Sequence, residues 1–149
     1  MLCPTADELD RELGHFAQRP WFAEQGVIAQ ELVPPLGWDL RIVVAGGCVV
    51  GAARRVAAPG EWRTNVALGA RSEAVAPPPL ARTLALEAAA AIHGDLVGVD
   101  LLPPREGFVV SEVNGAVDFR RRYALGPGNV FRNAVHELVR VAQLRRAAA

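Results

Sequence analysis

GDLVGVDLLPPREGFVVSEVNG, residues 94–115, is the stretch on which the fold turns. It reads as two apolar strands joined by a turn. Asp100 interrupts the first strand, and Glu112 and Asn114 interrupt the second. Side chains two apart share one face of a strand, so Glu112 and Asn114 point the same way. A hairpin centred near Glu106 sets Asp100 opposite Glu112, with Cβ atoms roughly 4.5–5.5 Å apart. Like charges so placed are destabilising unless something positive lies between them. Two carboxylates and an amide oxygen are hard ligands of the kind Mg²⁺ or Mn²⁺ takes, and such ions keep waters and bridge to phosphates. The alternative is a solvated sheet face whose acids pair with nearby arginines.

The rest of the chain supplies the neighbours of that hairpin. LARTLALEAAAAIHG (80–94) follows three prolines and ends at Gly94, which predicts a helix with a glycine C-cap. WDLRIVVA and CVVGAARRVA flank Gly46-Gly47, a turn pair that predicts a second hairpin. APGEWRTNVALGARSE (58–73) reads as a polar, glycine-bearing loop. GVIAQELV (26–33) reads as a short strand stopped by Pro34-Pro35. Near the front, Thr5 and Glu8 form a capping-box pattern, with Leu9, Leu13 and Phe16 at helical spacing until Arg19-Pro20. A loop through Pro127 leads to a last helix, in which Val130, Ala134, Val135, Leu138 and Ala142 form one apolar stripe. Together these predict an α+β fold with an antiparallel sheet from about Val27 to Asn114. The helices starting near Pro79 and Gly128 would pack on one face and bury Leu84, Leu86, Ile92, Val135 and Leu138.

The totals narrow the function classes. A chain of 149 residues is enough for one domain with a real core. Sixteen basic residues balance sixteen acidic ones, which argues against a nucleic-acid binder or a polybasic membrane module. No apolar run approaches the ~20 residues that span a bilayer, and the acidic, amphipathic start is not that of a signal peptide. Cys3 and Cys48 lack metal-type spacing and predict free thiols in a reducing cytoplasm. Every basic residue is Arg, so no chemistry here rests on a lysine. The run Arg120, Arg121, Arg122 reads as a solvated loop, and His15, His93 and His136 fall on separate helices and take no role.

VGVDLL and EVN, preceded by Asp39-x-Arg41, Arg55 and GEWRTN in that order, resemble the C-terminal lobe of ATP-grasp carboxylate–amine ligases. The likeness is to RimK-like α-L-glutamate ligases of the ribosomal-protein-modification type. It runs from about Gly26 to Phe119 and more loosely to the end. It implies that residues 1–35 are the end of a preceding lobe with its hinge strand, and that 36–149 are the metal- and nucleotide-binding lobe. Asp100, Glu112 and Asn114 match the metal ligands, which hold Mg²⁺ or Mn²⁺ against the phosphates of ATP. Glu31 and Leu32 match the hinge, where backbone groups read the adenine edge and the acid binds the ribose or amine side. Asp39 matches a nucleotide-contacting acid. Arg63, Thr64 and Asn65 match the segment facing the phosphates and the reacting carboxylate, with Arg63 catalytic. Arg55 matches a strand arginine aimed at substrate, the second catalytic candidate.

The resemblance further implies that ATP phosphorylates a carboxylate and that an amine attacks the acyl phosphate to give an amide. The partners are then ATP, glutamate or another amino acid, and a carboxylate-bearing acceptor: a peptide, a protein C-terminus or a small molecule. Neither nucleic acid nor membrane is expected. EVN runs here into GAVDFRRRY where the family usually has a Ser-Pro-Gly-type loop, which leaves the acceptor open. No glycine-rich phosphate loop and no lysine precede the hinge, so the sequence looks like the back half of such an enzyme, an N-terminally truncated chain. It is expected not to ligate by itself and to self-associate through Val27, Ile28 and Leu32. Each residue also has an ordinary reading, such as a strand-end charge at Glu31 or a cross-strand or surface pair of Asp39 with Arg41. The rival from another class is a non-catalytic ATP-grasp-derived module or subunit that binds a divalent ion weakly.

Overall fold

The computed structural model describes residues 1–125 and 128–148, so the loop expected through Pro127 lies partly outside the described residues. The chain divides into two compact units, Met1–Leu32 and Val33–Ala149.

In the first unit the Thr5 hydroxyl accepts from the Glu8 N–H at 3.2 Å, and helix α1 (Ala6–Ala17) starts there. A single turn, α2 (Phe22–Gln25), follows, with the rings of Phe16 and Trp21 5.9 Å apart. The strand expected over residues 26–33 does not form. A strand must pair its N–H and C=O groups with a neighbour, and among the described residues none lies beside this stretch. Val27, Ile28 and Leu32 are 39%, 88% and 47% exposed.

The sheet therefore begins not at Val27 but at Trp38. Strands β1 (Trp38–Ala45) and β2 (Cys48–Val56) meet at Gly46 and Gly47, with φ of 54° and 76°. Two positive φ values make a primed turn whose twist suits a hairpin. After a 3-10 turn (Val66–Leu68) come β3 (Arg71–Ala74), α3 (Pro79–Ala91), β4 (Leu96–Leu102) and β5 (Val109–Asn114). A second 3-10 turn (Arg121–Tyr123) precedes α4 (Val130–Ala147). The five strands are ordered β3-β2-β1-β4-β5, every neighbouring pair antiparallel. Strand β3 arises inside the stretch read as a loop. Its Arg-Ser-Glu-Ala has no apolar alternation, and a short, charged edge strand needs none.

Alternate residues sort onto two faces, and both carry a core. Leu40, Ile42, Val44, Val97, Val99 and Leu101 pack with Ala81, Ala85 and Ala89 of α3. Val43, Ala45, Val50 and Ala53 pack with Tyr123 and with Val130 and Ala134 of α4. The two helices thus lie on opposite faces rather than on one. Residues 42–45 of β1 are buried without interruption, as a strand covered on both sides requires. The large side chains expected in the core are not its main contacts. Ile92 and Val135 are 53% and 60% exposed, and Leu84, Leu86 and Leu138 are only partly buried. Alanines line the inner face of α3 instead, which lets it lie close to the strands. Gly51 does the same for α4: a Cβ there would sit 2.7 Å from a Val130 methyl and 2.8 Å from the Tyr123 carbonyl oxygen. Helix α4 packs at the Gly46–Gly47 end of its face. The other end of that face carries Asp39, Arg41, Arg55, Asp100, Glu112 and Asn114.

Candidate functional site

Strand register assembles the site. Asp39 faces Arg55 across β1 and β2, and Arg41 faces Asp100 across β1 and β4. Asp100 in turn faces Glu112, and Gly98 faces Asn114, across β4 and β5. A bulge falls between Asp100 and Leu101, just past that pairing.

Four alternating charges run across three strands. The Arg55 Nε donates to Asp39 Oδ1 at 2.7 Å, and its Nη2 donates to Asp39 Oδ2 and, at 3.0 Å, to Asp100 Oδ2. Arg41 closes on the other side of Asp100, Nε to Oδ1 and Nη2 to Oδ2, both at 2.8 Å. Asp39 also accepts from the Thr64 hydroxyl. Asp39, Arg55 and Asp100 are 3%, 8% and 6% exposed, so these are buried ions. Burial alone would lower the pKa of Arg55, but the hydrogen bonds and charges of Asp39 and Asp100 outweigh it and hold the value above the ordinary one. The hydrogen bond to Asp100 likewise raises Arg41 against the effect of burial. Both guanidiniums stay charged, and two cations offset two anions.

Glu112 is exposed and Asn114 half-buried. Among the described residues neither side chain makes a hydrogen bond or ion pair, unlike Arg41 and Asp100. Among the described residues, too, no three His, Cys, Asp or Glu side chains are grouped to hold a metal. The candidate set has two carboxylates and needs the Asn114 amide oxygen as its third member. Its chemistry suits a hard dication. A carboxylate offers about four acceptor positions, and Asp100 gives three of them to arginine N–H groups. One remains on Oδ1.

The other candidates are placed unequally. Thr64 reaches the site through Asp39. Arg63 does not: it is folded onto Glu61, Nε to Oε1 at 3.0 Å and Nη2 to Oε2 at 2.7 Å, and is exposed. Those bonds hold the Glu61 carboxyl down at about 2. Asn65 is exposed, its carbonyl accepting from the Leu68 N–H at 2.9 Å to start the 3-10 turn. Glu31 and Leu32 are exposed in the first unit. Arg41 is a member of the site that the sequence does not single out. The sequence offers it as a cross-strand or surface partner of Asp39, whereas its partner is Asp100 on β4, and the long β1-to-β4 separation gives no local clue to that register.

A family model described as the RimK-like ATP-grasp domain matches residues 2–124. This chain belongs to the RimK-like ATP-grasp family. A probable α-L-glutamate ligase of Aeromonas salmonicida is 35% identical over 117 residues, 78% of this chain and 38% of that protein. The glutamate–LysW ligase ArgX of Sulfurisphaera tokodaii is 33% identical over 94 residues, 62% of this chain and 33% of that protein. The RimK-like chain therefore spans about a third of the length of these curated relatives. Of the solved structures, a D-alanine–D-alanine ligase from Bacillus anthracis aligns with 95% of this chain and 51% of its own, at TM-score 0.62 and 15% identity. The ATP-grasp ligase PsnB, solved with a phosphomimetic variant of its minimal precursor, Mg and ADP, aligns with 76% of this chain and 34% of its own. Its TM-score is 0.55 at 23% identity. Both likenesses are of fold.

Proposed function

We propose that this RimK-like domain is the metal- and nucleotide-binding lobe of an ATP-dependent carboxylate–amine ligase of the glutamate-ligase kind. The observation that supports this most is the buried run of Asp39, Arg55, Asp100 and Arg41 set directly beside Glu112 and Asn114. For stability alone, well-packed apolar residues commonly serve as well as buried ions or better. A carboxylate gripped from two sides and paired in register with a residue that carries a second carboxylate is suited to holding a cation in a fixed place.

In the reaction, the γ-phosphoryl group of ATP passes to a carboxylate oxygen and ADP departs. The amine then attacks the acyl carbon, phosphate leaves, and the amine gives up a proton as the amide forms. Asp100, Glu112 and Asn114 would hold Mg²⁺, or Mn²⁺ by the same ligand preference, and the bound ion offsets charge on the transferring phosphoryl group. Arg41 and Arg55 fix the Asp100 carboxylate before any substrate arrives, so no reorientation is needed later. Arg55 is thereby a positioning residue, since its fork is spent on Asp39 and Asp100. Asp39 orients Arg55, and Thr64 ties the GEWRTN loop to that pair. Arg63 would exchange Glu61 for the acyl phosphate, to which its planar fork is fitted. No side-chain nucleophile is required. Glutamate fits the amine role and a carboxylate-bearing molecule the acceptor role.

Calorimetric titration of the chain with ATP, with and without Mg²⁺, tests the proposal. Binding should depend on Mg²⁺ and weaken about tenfold or more in Glu112→Gln, the loss of one charged contact worth ~1.5–3 kcal/mol. Nucleotide affinity indifferent to both Mg²⁺ and Glu112 would overturn it.

A further inference from the structure

We propose that residues 27–33 of two copies of this chain pair as antiparallel strands about a two-fold axis at Gln30, making a homodimer. The segment has the composition of a strand, with Val27, Ile28 and Val33 β-branched. Yet it lies outside the sheet. Among the described residues, its backbone groups make no hydrogen bond to other backbone groups. Residues 26–32 are all exposed, Ile28 at 88%. A row of unpaired N–H and C=O groups beside apolar side chains is a template for a further strand. Its ends are marked. Gly26 turns the chain at φ 63°, and Pro34 brings no N–H.

The segment is complementary to itself in one register. A two-fold axis through a ribbon sets one residue opposite its own copy, and every other pairing then occurs twice. With Gln30 at the centre, Ile28 faces Leu32, Val27 faces Val33 and Glu31 faces Ala29. Side chains two apart share a face, so Ile28 and Leu32 of both copies gather on one side of the ribbon around the Gln30 pair. Other centres match less well. At Glu31 two carboxylates would oppose each other, which destabilises a ribbon, and Ile28 would face Pro34. At Ala29, Ile28 would face Gln30 and Val27 would face Glu31. Centres nearer either end leave fewer pairs.

The edges of the sheet are poorer partners for this segment. The β3 edge offers Arg71 and Glu73, and the β5 edge offers Ser111, Glu112 and Asn114. A two-stranded ribbon is marginal by itself, so the dimer forms with rising concentration rather than as an obligate pair. The inference goes beyond the proposed function and does not rest on it.

Sedimentation equilibrium and oxidative cross-linking test it. The chain should be monomeric at about 1 µM and dimeric at about 1 mM, the range of a small interface. Ile28→Glu combined with Leu32→Glu sets carboxylates opposite each other and should leave the chain monomeric at both. Its melting temperature should be unchanged, because both residues are exposed. In a Cys3→Ser, Cys48→Ser background, Gln30→Cys should give a disulfide-linked dimer on mild oxidation. Directly opposed Cα atoms lie roughly 4.5–5.5 Å apart, within the reach of a disulfide. Ile28→Cys should not link to its own copy, four positions along the ribbon, but should link when mixed with Leu32→Cys. A monomer at the higher concentration, a dimer that survives the double substitution, or Ile28→Cys linking to itself as readily as Gln30→Cys would each overturn the proposal.

Discussion

Asp100 and Glu112 face each other across two strands, yet removing charge from them should have different effects. Asp100→Asn leaves Arg41 and Arg55 under-compensated in a buried setting, and breaking such a network is worth ~3–5 kcal/mol. Urea denaturation should show that loss. Glu112 is exposed, so Glu112→Gln should change stability by no more than ~0.5 kcal/mol while weakening Mg²⁺-dependent nucleotide binding about tenfold or more. Equal destabilisation by both would mean that Glu112 is structural. The Glu61 carboxyl is held at about 2 by the Arg63 hydrogen bonds. A depressed folded-state pKa means the pairing is in full force above the ordinary carboxylate value, near ~4.3, and is lost as pH falls toward about 2. The carbon-13 shift of the Glu61 carboxyl should therefore titrate near the lower figure. An ordinary midpoint would show Arg63 already free of Glu61 in solution. The facing of Asp100 with Glu112 was legible in the sequence because a hairpin's register follows from counting back from its turn. The grip of Arg41 on Asp100 was not, because β1 and β4 are joined by no tight turn.

At the end of α3, the His93 N–H bonds to the Ala90 carbonyl at 3.0 Å and the Gly94 N–H to that of Ala89 at 2.9 Å, a Schellman closure. The left-handed position in it is taken by His93, φ 53°, and not by the glycine beside it. Gly94 is needed for another reason: a Cβ there would lie 2.5 Å from a Val97 methyl. His93→Gly should stabilise the fold by about 0.5–1 kcal/mol, since a side chain in the left-handed region is strained. In thermal unfolding that amounts to an upward shift of roughly 1–4 °C, and a fall would contradict the geometry. Elements fixed by local chemistry, such as the capped α1, the Gly46-Gly47 hairpin and the proline-led α3, could be read from the chain. Strand β3 and the missing strand at 26–33 could not, because a strand exists through its partner and not through its own composition. The placing of α3 and α4 on opposite faces was hidden too. An apolar stripe shows that a helix packs, not on which side of the sheet.

The sheet unit, Val33–Ala149, carries the three buried ions, the half-buried Arg41 that joins them, and both candidate ligands of β5. Both cysteines are free thiols, and among the described residues no helix is long and apolar enough to cross a membrane. Two acidic groupings stand as rival sites for a divalent ion. One is α1, with Asp7, Glu8, Asp10 and Glu12 along a solvated helix; the other is Asp100, Glu112 and Asn114. Helix acids without convergent geometry bind ions only diffusely, while a gripped carboxylate opposite a second one binds them at a point. Mn²⁺ added to ¹⁵N-labelled chain in the presence of ATP separates the two, because the ion broadens the amides nearest to it. Residues 98–100 and 112–114 should broaden first, and Glu112→Gln should abolish that selectivity. Broadening centred on α1, or an identical pattern in Glu112→Gln, would contradict the assignment of this face as the metal and nucleotide site.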